Sequence, residues 1–245
     1  MSGFDLLTII VLASTERLTL RTTIDLLLKN CRSEDIKEII IFLISSDCPS
    51  AETAEKICKD PSFPVPVRCA VQKTPGLSNA VYEIPRLVES SHFLIIASDL
   101  EMDPLAVPAM IETSREHPDA IVCASKFKEG SKRENYGRVH YLCNRVVNAA
   151  VERILDIKGT ELISTFQIYP LWLFKEMDFN NPKRTFYEFT IRPLSAGKEY
   201  IEIPTKYKKR TEGASNFNPW RYIKLGVNFI STALHERKRL RRSKS

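Results

Sequence analysis

A chain of 245 residues, 43% hydrophobic and 27% charged, is long enough to bury a core as one large domain, or a domain with a lobe, and has the composition of a soluble globular protein. No stretch reaches the roughly 18 apolar residues of a membrane-spanning helix, and "MSGFDLLTII" has neither a basic n-region nor a cleavage-like site, so no secretory signal is expected. Most of the +6 net charge sits in "RKRLRRSKS", with Arg237, Lys238, Arg239, Arg241, Arg242 and Lys244; the body is nearly neutral, which argues against a nucleic-acid partner and points to an anionic partner for the tail, or to a solvated end.

The elements alternate along the chain. "LLTIIVLA" (6–13) is a β-branched run read as a buried strand, and "RLTLRTTIDLLLKNC" follows with helical periodicity. "KEIIIFLIS" (37–45) is a second strand, and "SAETAEKICK" a helix that Ser50 is placed to cap. "VPVRCAVQ" (65–72) is a third strand. "LSNAVYEIPRLVES" is helical until Pro85 breaks or kinks it. "HFLIIAS" is the fourth strand, "DPLAVPAMIETSREH" a helix with proline in its first turn, and "DAIVCASKF" the fifth strand. Strands alternating with helices predict an α/β fold: a mostly parallel, Rossmann-like central sheet with helices on both faces.

The six cysteines are scattered without a C-x-x-C pair, so they read as reduced, mostly buried thiols of a cytoplasmic protein. The four histidines do not join them at zinc-ligand spacing.

"HFLIIASDLEMDP" (92–104) runs a buried strand into three carboxylates spaced two apart. Open α/β sheets bind ligands beyond the carboxyl ends of their strands. Asp99 and Glu101 therefore reach the binding rim, and hard oxygen ligands so arranged suit Mg²⁺ or Mn²⁺, which in turn holds a diphosphate. The bland alternative is that Asp103 caps the next helix and Asp99 and Glu101 are solvated loop acids.

In its segments and their order the chain resembles the family 2 glycosyltransferases of the GT-A fold, most closely the polyprenyl (dolichyl) phosphate sugar synthases. "SDLEMDP" is similar to the family's acidic metal motif, with Ala97 where the first Asp usually stands and Asp99 at the second. "PGLSNAV" (75–81) resembles the turn near the donor nucleotide. "ASKFKEGSKRENYG" and "RVVNAAVERILDIKGTELISTFQIY" resemble the segments that shape the acceptor side, and "YEFTIRPLSAGKEYIEIPTKYKKRTEGASNF" (187–217) the closing segment.

The resemblance implies transfer of a hexose from a nucleotide diphosphate sugar to a polyprenyl phosphate. Asp99 and Glu101 would hold the metal. Glu16, Asp47, Gly76, Asn79, Arg210 and Ser215 would join Asp99 around the donor. Asp47 could instead cap a helix, and Gly76 be an ordinary turn glycine. Arg210 would clamp a phosphate, unless the basic run around it is a solvated strand face. Lys126, Arg133 and Arg145 would meet the acceptor phosphate. Glu188 would be the general base for a hydroxyl acceptor, a role an anionic phosphate does not require.

Residues 1–217 are expected to form the transferase domain. Residues 218–245 are expected to form an amphipathic helix, with Ile223, Val227, Ile230 and Leu234 on one face, and a basic tail; together they either anchor the chain peripherally on a membrane or form a helix packed on the core with a soluble tail. The alternatives are a catalytically silent domain that binds a nucleotide sugar or partner, and a transferase that extends a soluble or cell-envelope saccharide. A nucleotidyltransferase is disfavoured because "VLASTERLTL" lacks the glycines such enzymes place there.

Overall fold

The computed structural model describes residues 3–177, 185–212 and 219–242. Its centre is a seven-stranded sheet of β1 (Leu7–Ala13), β2 (Ile36–Leu43), β3 (Val67–Val71), β4 (His92–Ala97), β5 (Ile121–Ser125), β7 (Gln167–Pro170) and β8 (Tyr200–Pro204), in the order β3-β2-β1-β4-β7-β5-β8. β7 alone runs antiparallel to its neighbours β4 and β5; the other pairings are parallel. Alternate residues of the central strands enter separate cores. Ile9, Val11, Ile39 and Ile41 pack under α1 (Leu18–Asn30), α2 (Ala51–Cys58) and α4 (Val107–Glu116). Ile10, Ile40, Phe42 and Phe93 pack on the other face under α3 (Leu77–Glu83), α5 (Arg138–Leu155), α7 (Glu188–Ser195) and α8 (Pro219–Arg242). That double burial is why these strands read as unbroken apolar runs.

The predicted strands and helices form, with local differences. Ser50 does not cap α2: its hydroxyl donates to the Glu16 carbonyl at 2.7 Å and ties two loops together. Pro85 ends α3 at Glu83, and the chain continues as a 3₁₀ turn, Ile84–Arg86. The helix after Asp103 likewise opens with a 3₁₀ turn, Pro104–Ala106. The cysteine expectation fails at one pair. Cys58 closes α2 and Cys69 lies in β3; packing α2 on β3 joins them in a disulfide. Cys31, Cys48 and Cys123 are buried thiols, and Cys143 is exposed.

α8 packs on α5 and α7, with Phe229 and Ala233 buried in the second core. Of the residues predicted to share its apolar face, Ile230 packs against that core, while Ile223, Val227 and Leu234 are exposed. Among the described residues no helix is long and apolar enough to cross a membrane.

Candidate active site

β1, β2 and β4 are parallel neighbours, and their register places Ala13 beside Leu43 and Leu12 beside Ala97. Their carboxyl ends therefore deliver Glu16, Asp47 and Asp99 to one rim. Each acid after β4 does something different. Asp99 accepts the Glu101 N–H at 3.0 Å, closing a turn in which Leu100 adopts a left-handed φ of 56°. Asp103 accepts the Leu105 N–H and caps the following turn, as the bland reading had it. Glu101 faces Arg210.

Arg210 arrives through β9 (Lys206–Lys208), which runs along the acidic loop. Lys208 N–H donates to the Glu101 carbonyl at 3.0 Å, and Asp103 N–H to the Lys206 carbonyl at 3.1 Å. On its other side β9 pairs with β6 (Lys132–Glu134). Arg210 Nε then donates to Glu101 Oε1 at 3.0 Å, and Nη2 lies 3.4 Å from Asp99 Oδ2. Burial pushes the Asp99 carboxyl up to about 6; the Glu101 and Glu16 charges add to this, while Arg210 opposes it. Just beyond, Glu212 takes the N–H groups of Arg17, Leu18 and Thr19 at 2.8 to 2.9 Å, capping α1 from across the chain.

A cavity of ≈ 880 Å³ opens from this point. Glu101, Arg210, Lys209 and Leu77 line one part, and Lys126, Tyr136, Arg138, His140 and Glu161 another. Lys126 Nζ lies 2.8 Å from Glu161 Oε1. The Glu161 side chain is only 2% exposed, and its Oε2 has no hydrogen-bond partner among the described residues. Its loop is pinned from several sides. Glu202 accepts the Thr160 and Glu161 N–H groups, Tyr200 donates to the Glu161 carbonyl at 2.6 Å, and Asn148 accepts the Leu162 N–H. Gly159 has no room for a side chain, since a Cβ there would stand 2.6 Å from Leu162. Burial raises the Glu161 carboxyl above its ordinary value, against the pull of Lys126.

The structure thus brings together Glu16, Asp99, Glu101 and Arg210; of these Glu101 and Arg210 line the cavity, together with Lys126. Glu16 is turned inward: its carboxylate accepts the Ser14 and Thr15 N–H groups at 2.8 Å. Asp47 is exposed on the rim and does not cap α2; the Ser45 hydroxyl holds its carboxyl below the usual range. Gly76 has φ 128°, which favours glycine, and opens the turn before α3; Asn79 closes that turn on the Pro75 carbonyl. Arg133 lies over Tyr141 and donates to the Lys126 carbonyl, and neither it nor Arg145 is among the cavity lining. Glu188 does not reach the cavity either. It is buried between Tyr82 Oη, at 2.8 Å, and Arg192, at 3.3 Å. Ser215 lies outside the described residues.

Sequence reasoning missed Glu161 and Glu212. The first was legible, since it is a carboxylate inside "RVVNAAVERILDIKGTELISTFQIY", a segment already read as shaping the acceptor side. The second left only an indirect mark: α1 begins at Arg17-Leu18 with no capping side chain of its own.

Two convergent carboxylates fit a divalent ion of the kind that binds one or two carboxylates together with substrate phosphates. The fit rests on an observation: Asp99 and Glu101 already share one cation, the Arg210 guanidinium, and burial leaves Asp99 short of positive charge. Among the described residues no group of three His, Cys, Asp or Glu side chains could complete a protein-only site.

A doubly covered, mostly parallel sheet with an acidic turn at the carboxyl end of its central strands defines a GT-A-type glycosyltransferase fold. The chain belongs to glycosyl transferase family 2, whose sequence profile matches residues 8–191. Solved structures with a similar fold include glucosyl-3-phosphoglycerate synthase from Mycobacterium tuberculosis with Mn²⁺, UDP and phosphoglyceric acid, at TM-score 0.71 and 15% identity over 95% of this chain and 78% of that one. Another is the same enzyme with Mg²⁺ and UDP, at TM-score 0.70 and 14% identity over 95% and 79%. A third, with Mn²⁺, UDP-glucose and phosphoglyceric acid, matches at TM-score 0.70 and 15% identity over 96% and 80%. No curated protein matches the chain.

Proposed function

We propose that the protein transfers a hexose from a nucleoside diphosphate sugar to a phosphate-bearing acceptor, with polyprenyl phosphate the acceptor of choice. The observation that carries this is the Asp99–Arg210–Glu101 cluster at the mouth of a cavity with basic residues along its wall. Asp99 and Glu101 would hold Mg²⁺ or Mn²⁺; the ion, when bound, neutralises charge that builds on the departing diphosphate. Arg210 would turn from the carboxylates to a donor phosphate, which its planar fork can meet bidentately. Glu16 and Asp47, at the carboxyl ends of β1 and β2, would face the nucleotide. Lys126, Arg138 and Lys209 offer positive charge to an acceptor phosphate.

The similar synthases were crystallised with UDP or UDP-glucose, Mn²⁺ or Mg²⁺, and a soluble phosphorylated acid. They support the donor and the metal; they also keep open a small phosphorylated acceptor attacked through a hydroxyl. One observation favours that second reading: the buried Glu161 carboxylate, with one oxygen unpartnered, is a general base in waiting. A lipid phosphate is favoured by the exposed apolar residues of α8 and the basic end of the chain, which suit peripheral attachment to a membrane.

The decisive experiment measures thermal stabilisation by a panel of nucleotide sugars with Mn²⁺, followed by transfer to a short prenyl phosphate, to 3-phosphoglycerate and to free saccharides. Stabilisation by a nucleotide sugar and turnover on the prenyl phosphate are expected. Faster transfer to a free saccharide than to either phosphate overturns the acceptor assignment.

A further inference from the structure

α5 and α8 pack closely: a Cβ on Gly226 would stand 3.2 Å from Val147 Cγ2. One residue from this seam on either side, Val146 and Val227 point into solvent, each 60% exposed. Both belong to outward stripes. On α5 the stripe is Val139, Leu142 and Val146; on α8 it is Ile223, Val227 and Leu234, and every one is more than half exposed. Scattered exposed apolar residues need no explanation, but six on two adjoining helices do. They are not a core face left uncovered, because Val151, Leu155, Phe229 and Ala233 fill that part.

The charge on these helices is one-sided. Glu236 is the lone acid of α8, and it is buried against Arg192 and Arg239. Glu152 is the lone acid of α5, and its carboxylate accepts the Gly159 N–H. Exposed Arg138 and Arg145 on α5, with Lys224, Lys238 and Arg241 on α8, therefore meet no carboxylate from their own helices. A bare basic surface around an apolar strip repels its own copy and attracts an anionic, apolar-backed one.

We propose that the α5–α8 face is the docking surface for an anionic membrane. The face also explains the cavity's placement. Arg138 and Val139 of α5 and Leu225 of α8 line the cavity, so docking brings its mouth to the level of lipid headgroups. This deepens, and rests on, the lipid-phosphate reading of the acceptor, but its test does not need turnover.

The test is co-sedimentation of the full chain with phosphatidylcholine vesicles, with and without phosphatidylglycerol. The wild type is expected to sediment with the anionic vesicles at low salt, to stay free of neutral ones and to be released by high salt. The double variant Val146→Glu, Val227→Glu should partition about tenfold less, at unchanged melting temperature, because both sites are exposed. Wild-type protein that ignores anionic vesicles, or a double variant that binds as well, overturns the proposal. So does a wild-type dimer that the double variant dissociates, which would assign the face to a second copy. If vesicle binding fails while transfer to a short prenyl phosphate proceeds, the face is wrong and the acceptor stands. If binding holds while no prenyl phosphate is used, the reverse is true.

Discussion

Arg210 donates from Nε to Glu101 Oε1 at 3.0 Å, so the cation nearest the acidic turn belongs to the protein itself. Without Arg210, Asp99 and Glu101 would face each other, with the charge of Glu16 behind them. Arg210→Gln should therefore weaken nucleotide-sugar binding by roughly ten- to a hundredfold, the value of one charge-assisted pair to a phosphate. Arg210→Lys should recover little, because an ammonium cannot span both partners. Titration calorimetry with UDP-glucose and Mn²⁺ reads this directly. Unchanged affinity in both variants would leave Arg210 a structural tie.

Asp99 gives a prediction with a defined sign. Its carboxyl is raised to about 6 from an ordinary 3.8, chiefly by burial. The folded state therefore holds the proton more tightly than the unfolded chain. The stability this contributes is full below about pH 4 and is lost as pH rises through about 6. Asp99→Asn removes the cost of the buried charge. It should melt higher than wild type at pH 7 to 8 by up to about 3 kcal/mol of stability, the gap closing near pH 4. The same variant should be inactive, as the wild type should be in excess chelator, and the wild type's Mn²⁺ affinity should rise as pH climbs through about 6 and the carboxylate forms. Ala97 is exposed at the end of β4, so Ala97→Asp adds a carboxylate without disturbing the core and should tighten Mn²⁺ binding. A melting curve of Asp99→Asn that parallels wild type at every pH would overturn the raised Asp99 carboxyl and the pH dependence drawn from it.

Strands β1, β2 and β4 were legible because they are buried on both faces, which leaves runs such as "LTIIVLA" with no helical period to confuse them; β7 and β8 were not read as strands. Asp99 and Glu101 were legible for the same reason: a carboxylate right after such a run has no core to enter. Glu188 misled. It is as acidic in sequence as Glu101, yet beside Arg192, one turn on in its own helix, its neighbours in space are Tyr82 and, through Arg192, Glu236, which come from two distant stretches. The Cys58–Cys69 disulfide was invisible for a related reason, since it depends on how a helix lies on an edge strand.

That buried cluster carries its own prediction. Arg192 stands between Glu188 and Glu236, and all three are nearly inaccessible to solvent. Arg192→Leu takes the shared cation from two buried carboxylates, leaving Glu188 its Tyr82 hydrogen bond and Glu236 its pair with Arg239, and should cost about 3 kcal/mol, seen as a lower urea midpoint. Glu188→Gln should change turnover by no more than a few-fold in protein that remains folded. A loss of several orders of magnitude there, at intact stability, would restore Glu188 as the base.

Glu212 is expected to matter more for stability than its half-buried place in a loop suggests. Burial alone would raise its carboxyl, but the N–H groups of Thr19, Arg17 and Leu18 and the Thr19 hydroxyl hold it below the ordinary value. A depressed carboxyl contributes stability above its unfolded pKa and loses it as pH falls through the folded one. Glu212→Ala should cost about 1 kcal/mol at neutral pH, as loss of a helix cap does, with no difference from wild type in strong acid. Because Arg210 lies two residues away, the variant should also weaken donor binding. Chemical denaturation at two pH values, with calorimetry alongside, separates the two effects.

The pairing of Lys126 with Glu161 decides which acceptor chemistry the cavity runs. With a hydroxyl acceptor the oxygen must lose its proton as it bonds to the anomeric carbon. The bond from that carbon to the β-phosphate oxygen breaks, and its electron pair leaves with the nucleoside diphosphate. Glu161 would take the proton, and a general base contributes roughly 10²- to 10⁴-fold. With a phosphate acceptor the attacking oxygen is already anionic, and Glu161 only holds Lys126 in place. Glu161→Gln keeps the shape and a hydrogen-bond acceptor for Lys126 Nζ, so it separates the two cases. If the nucleophile is a prenyl phosphate, as proposed, kcat should fall less than about tenfold and KM for the phosphate should shift, because the Lys126 charge is no longer balanced. Water is a hydroxyl acceptor that every assay contains, so hydrolysis of UDP-glucose by the same variant is the internal control. A hydrolysis rate reduced a hundredfold alongside intact prenyl-phosphate transfer would show one cavity serving both chemistries through different atoms. Equal losses of about a hundredfold or more in both assays, with nucleotide binding preserved, would make Glu161 the base for the natural acceptor and that acceptor a hydroxyl.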